Sequence, residues 1–204
     1  MYIFILFLML RGSACCARPP LNSPDAAYAP VAFFKEEITL SVTDNVAQVS
    51  GTYYFRNNRE SDLPFTVVFP FYIDSLSLYP HYISAYIING KDTIPLELRP
   101  VKSRKAIALS IPMKPKGVTT WHLDYGQRIL APPARYILTT TSSWGKPLED
   151  ASYKFVVPLS FGAVQIWPEA DSASIRGSNR VYWSHKANFM PRRDMEISWN
   201  EKKP

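Results

Sequence analysis

His122 and Asp124 come nearest to a chemical pair in this chain. A histidine and a carboxylate can exchange a proton or share a metal ion, and on a strand a spacing of two puts both side chains on one face. Thr120, His122 and Asp124 alternate with Trp121, Leu123 and Tyr125. The pair therefore falls on the polar side of its strand, where a His and an Asp are ordinarily just solvated. His81 and His185 have no second ligand two or four positions away, so no metal site is expected. A serine nucleophile would need a Gly-x-Ser-x-Gly elbow and a phosphate site would need a glycine-rich loop opening a helix, and the chain has neither. The two cysteines, Cys15 and Cys16, sit together near the start, which excludes thiolate chemistry from the rest. These observations predict no catalytic residue and no cofactor.

Two features could meet a partner. Arg99, Lys102, Arg104 and Lys105 fall within seven residues and could face anionic lipid or an acidic protein, although such a loop is commonly a solvated crest. Trp144 lies in a turn beside Gly145 and Pro147, where it either anchors a partner or caps the core. Nucleic acid is not an expected partner. The net charge is only +6, and Arg11, Arg18, Lys202 and Lys203 carry much of it at the chain ends.

The elements that must position these residues read as strands. From residue 33 the apolar period is two: Ile38, Leu40 and Val42 alternate with Thr39 and Ser41, and Val49, Tyr53 and Phe55 with Gln48, Ser50 and Thr52. Residues 63–71, 82–88, 93–98, 107–111, 121–125, 136–141, 151–157, 164–167, 180–184 and 195–199 follow as strand candidates, and Asn89-Gly90 marks a hairpin. Proline is abundant at 18 residues and aromatics reach 14%, usage that suits turns and half-buried pleated surfaces rather than helices. The expected fold is all-β, an antiparallel two-layer β-sandwich of immunoglobulin-like type over residues 33–200, with a possible subdivision near Phe161.

Residues 1–10 are unbroken apolar sequence closed by Arg11, too short to span a bilayer but suited to a secretory leader. Gly12-Ser13-Ala14-Cys15, or Ser13-Ala14-Cys15-Cys16 one residue on, resembles the lipobox of bacterial lipoproteins, with Gly12 or Ser13 where an aliphatic residue is usual. That resemblance implies a lipid on Cys15 or Cys16. Residues 1–16 are thus read as a targeting segment and 17–32, with Pro19, Pro20, Pro24 and Pro30, as a linker. Gly51-Thr52-Tyr53-Tyr54-Phe55-Arg56-Asn57 with Val68-Phe69-Pro70, and later Tyr136-Ile137-Leu138-Thr139-Thr140-Thr141 with Trp144, is similar to poorly characterised exported bacterial β-sandwich proteins. The expectation is a periplasmic or cell-surface protein that docks on an envelope component without catalysis. The alternative is a carbohydrate- or small-ligand-binding module, and a β-sandwich hydrolase ranks third.

Overall fold

Alternation turns most of the chain into strands. The computed structural model describes residues 29–101, 103 and 105–200. Cys15, Cys16, Lys102 and Arg104 lie outside the described residues. β1 (Val31–Thr43) turns at Asp44-Asn45 into β2 (Val46–Asn57), and β3 (Leu63–Pro70) follows a polar turn. β1 starts two residues ahead of the expected position 33. β4 (Tyr82–Asn89) and β5 (Asp92–Pro95) form the expected hairpin. Asn89 pairs with Asp92, so the loop residues are Gly90 and Lys91, and Gly90 alone takes a positive φ, of 65°.

β6 (Arg99–Val101), β7 (Ala106–Met113), β8 (Val118–Arg128), β9 (Ala134–Tyr136) and β10 (Leu148–Pro158) come next, then β11 (Val164–Trp167), β12 (Ser172–Arg176), β13 (Asn179–Phe189) and β14 (Met195–Trp199). They make one eight-stranded sheet, ordered β12-β13-β10-β1-β2-β8-β4-β5, and two three-stranded sheets, β11-β14-β9 and β3-β7-β6. The all-β expectation holds. The antiparallel one fails at a single pair, since β1 runs parallel to β10. The two strands are joined through everything between residues 43 and 148, far more than the dozen residues a parallel connection requires. Strands on both sides of Phe161 share the sheets, with β13 paired to β10 and β14 to β9.

One face of the large sheet is the core. Leu40 of β1, Tyr53 and Phe55 of β2, Trp121 and Leu123 of β8 and Phe155 of β10 are all buried there. Both small sheets cover it: Phe69 of β3 meets Trp121 with centroids 6.3 Å apart, and Tyr136 of β9 hydrogen-bonds Tyr53. Each fully buried ring or branched aliphatic there stabilises by roughly 1.5–3 kcal/mol.

Residues 136–141 depart from the expected strand. The ladder stops at Tyr136, and Thr139–Trp144 forms a 3-10 helix ended by Gly145 at φ 72°. The cause is Asp194, whose Oδ1 accepts from the amides of Leu138 and Thr139 and from the Thr139 hydroxyl, at 3.1, 3.0 and 2.8 Å. That carboxylate satisfies amides a strand would have paired. β12 escaped detection because its alternation is short, with only Ala173 and Ile175 apolar, and all five of its side chains are exposed.

Asn57 locks the polar turns at one end. It is fully buried, its amide donates to the carbonyls of Ser61 and Lys114 at 3.0 Å each, and its Oδ1 accepts from the Arg59 amide at 2.9 Å. Asn57→Ala is therefore expected to lose about 2–3 kcal/mol in urea unfolding, because buried carbonyls lose their donor. Glu60→Ala, which removes an exposed ion pair with Lys116, is expected to change stability by less than about 0.5 kcal/mol. Equal losses in the two variants would contradict this account of the turn.

Candidate functional site

Counting back in twos from Ile38 places Glu36 on the core side of β1, and there it is, 2% exposed. A bulge between Phe33 and Lys35 inserts one residue into the β1–β2 ladder. It lets Phe33 and Glu36, an odd number of positions apart, face the same side. Tyr153 of β10 donates its hydroxyl to Glu36 Oε1 at 2.7 Å. Beside them the hydroxyls of Tyr53 and Tyr136 bond each other at 2.8 Å. The Tyr53 ring lies back over Gly51, where a Cβ would collide with its hydroxyl.

Glu36, Tyr53 and Tyr136 border a chamber of about 150 Å³ between the large sheet, β3 and the 3-10 helix. Its walls are rings. Tyr53 stacks on Trp121 with centroids 4.4 Å apart, and Phe33 stacks on Phe55 at 4.9 Å. Trp144 meets Phe33, Phe55 and Phe65 at 5.8, 5.3 and 5.7 Å. Val67 and Phe69 line it from β3, and Thr140, Thr141 and Ser143 from the helix. The Trp121 ring lines the chamber, and its Nε1 is buried without a hydrogen-bond partner.

Burial pushes the Glu36 carboxyl up from 4.5 to about 7, against the opposing pull of the Tyr153 hydroxyl. Burial likewise holds Tyr53, Tyr136 and Tyr153 well above the ordinary phenol range, so all three stay neutral donors. Below neutral pH the chamber is an uncharged aromatic box with one carboxylic acid. The arrangement is a pocket of aromatic rings around one carboxyl.

Of the residues singled out by sequence that the structure describes, Trp144 alone borders the chamber. That tryptophan ends the 3-10 helix and packs over the core beside the chamber. Arg99 is exposed on β6, and Lys105 Nζ donates to the Ile73 carbonyl at 2.9 Å. His122 and Asp124 do meet, on the polar face of the large sheet, with Nε2 to Oδ1 at 3.0 Å. Ser50 and Thr52 occupy the same imidazole at 3.1 and 2.8 Å, and Tyr86 stacks on it at 5.0 Å. Among the described residues no group of three or more His, Cys, Asp or Glu is arranged to hold a metal ion, and no helix is long and apolar enough to cross a membrane. An apolar patch lies at the end of the large sheet where β1 finishes: Leu76, Leu78, Tyr79 and Leu130 are 37–50% exposed and tied by the Leu130 amide to the Leu76 carbonyl. Glu36 was legible in principle, as a carboxylate in phase with Ile38, Leu40 and Val42.

No family model matches this chain, and no curated protein does. Solved structures match in fold. One is a "putative nutrient binding protein" from Legionella pneumophila subsp. pneumophila str. Philadelphia 1, with a TM-score of 0.61 at 13% identity, covering 82% of this chain and 66% of that one. An M1 zinc metallopeptidase from Deinococcus radiodurans gives a TM-score of 0.52 at 10% identity, covering 83% of this chain and 42% of its own. The chain thus spans less than two thirds of either protein's length, and at these identities the likeness is one of fold.

Glu36 makes stability depend on pH in a defined direction. Its folded-state value is raised, so its contribution is fully present below about 4.5 and is lost as pH rises through about 7. The total is on the order of 3 kcal/mol. Glu36→Gln keeps an acceptor for Tyr153 and cannot ionise. Urea unfolding at pH 5 and pH 8 should show wild type losing stability that the variant retains, and parallel profiles would rule out a buried acid.

Proposed function

We propose that this protein is a non-enzymatic binding domain whose aromatic chamber takes a small, largely apolar, ring-sized ligand. The observation that carries this reading is the chamber itself: about 150 Å³, walled by aromatic rings, with one buried carboxyl. A dry cavity of roughly that size admits benzene, and an apolar pocket with a few convergent polar groups is the usual form of a small-molecule site. The fold shared with the Legionella protein supports binding as the role. Phenol titrated into the protein is expected to shift the indole signals of Trp121 and Trp144 in NMR spectra. Val67→Phe, which fills the chamber from β3, should weaken that binding at least tenfold while the circular dichroism stays the same. Unmoved indole signals in the wild type, or full binding by the filled variant, would sink this reading.

A second reading rests on the apolar patch. In it the protein is exported, tethered through lipid on Cys15 or Cys16, and docks on an envelope protein through Leu76, Leu78, Tyr79 and Leu130. β1 enters beside Asn58, whose amide donates to the Pro30 carbonyl, while the patch lies at the far end near Asn45. Thirteen extended residues separate the two by about 40 Å, so a tether at the start of the chain leaves the patch pointing away from the membrane. Mild-detergent extracts should then contain an acyl-glyceryl-modified protein with a partner at fixed stoichiometry, and Leu78→Asp with Leu130→Asp should remove that partner. A soluble, unmodified and solitary wild-type protein would eliminate this reading.

A further inference from the structure

The chamber's charge balance points to a ligand class. Among the described residues lining it, Glu36 is the one carboxylic acid, and none is a Lys, Arg or His. The partner the carboxyl does have, the Tyr153 hydroxyl, is neutral. A carboxylate in such a place is costly to bury unless a cation accompanies it. The rest of the wall is suited to a cation of one kind. Ring faces attract positive charge through their quadrupoles, most strongly for Trp and for ligands that shed little water. Trp121, Tyr53, Phe33, Phe55 and Trp144 supply such rings around the cavity. A metal ion does not suit it, because a single carboxyl with phenols and indoles falls short of the four to eight ligands that biological metal ions take.

We propose that the chamber binds a small organic cation of alkylammonium type, held by the surrounding rings and charge-balanced by the Glu36 carboxylate. This rests on the reading of the chamber as a ligand site and adds the chemistry of the ligand. The volume sets the size: about 150 Å³ holds a methylated ammonium head group and excludes bulkier cations. The inference also gives binding a proton balance. Below neutral pH, Glu36 is an acid, so an arriving cation must displace its proton to bulk buffer. Besides Glu36, the titratable groups facing the chamber or packed beside it are Tyr153 on β10, Tyr53 on β2, Tyr125 on β8 and Tyr136 on β9. All four are raised by burial and stay neutral throughout the working range. Glu36 alone therefore links binding to pH.

Calorimetric titration of the full chain with tetramethylammonium, and with neutral tert-butanol and phenol as probes of similar size, tests this. At pH 8.5 tetramethylammonium should bind at least tenfold more tightly than tert-butanol. At pH 5.5 it should bind about 30-fold more weakly, since only the ionised fraction of Glu36 is competent. At pH 6, titrations in buffers of different ionisation enthalpy should show close to one proton released per cation bound. Glu36→Gln should abolish cation binding while its circular dichroism spectrum stays that of the wild type. The inference is overturned if phenol binds while tetramethylammonium does not, or if cation affinity is the same at both pH values, and in either case the chamber remains a ligand site. If none of the three probes binds wild type, that reading and this one fall together.

Discussion

The central position of β1 constrains everything else. It is hydrogen-bonded on one side to β2, antiparallel, and on the other to β10, parallel, so both of its edges are occupied and its register is fixed twice. A slip of one residue would carry Ile38, Leu40 and Val42 to the solvent face. Glu36 is in phase with those residues and is buried with them. The hydrogen bond from Tyr153 to Glu36 crosses the parallel pair. It makes the burial of a carboxyl tolerable at the point where the two halves of the sheet meet.

The chamber follows from building that face out of rings. Rings meet edge to face or in offset stacks at centroid separations of about 4.5–7 Å, and Tyr53, Trp121, Phe69 and Trp144 do so here. Between these rings a space of about 150 Å³ is left. What closes the remaining space is the 3-10 helix Thr139–Trp144, and its conformation is set by Asp194, a residue of the chain's final strand region. The wall of the site thus depends on a contact made across more than 50 residues of sequence.

The opposite face of the same sheet shows why residue type alone misleads. His122 and Asp124 lie there within hydrogen-bonding distance, with Ser50 and Thr52 alongside. Both imidazole nitrogens are engaged by hydroxyls of β2, and Tyr86 of β4 covers the ring. The histidine is satisfied as part of a polar cross-strand cluster. The group with perturbed chemistry is the carboxyl on the dry face, where water cannot screen it.

Alternation by itself determined that the body is built of strands, which side of most strands is buried, and that His122 and Asp124 share a polar face. It located the strands Val164–Trp167 and Met195–Trp199 to the residue, and the Asn-Gly turn signal found the β4–β5 hairpin, whose loop residues are Gly90 and Lys91. These are local properties, because side-chain direction along a strand reverses with every residue. Only the tertiary structure decided that β1 pairs in parallel with β10, that Asp194 turns residues 139–144 into a 3-10 helix, and that Tyr136, Tyr153 and Trp144 converge on Glu36. Those outcomes depend on which strand lies beside which, and a repeat of two residues carries no information about its neighbour across the sheet.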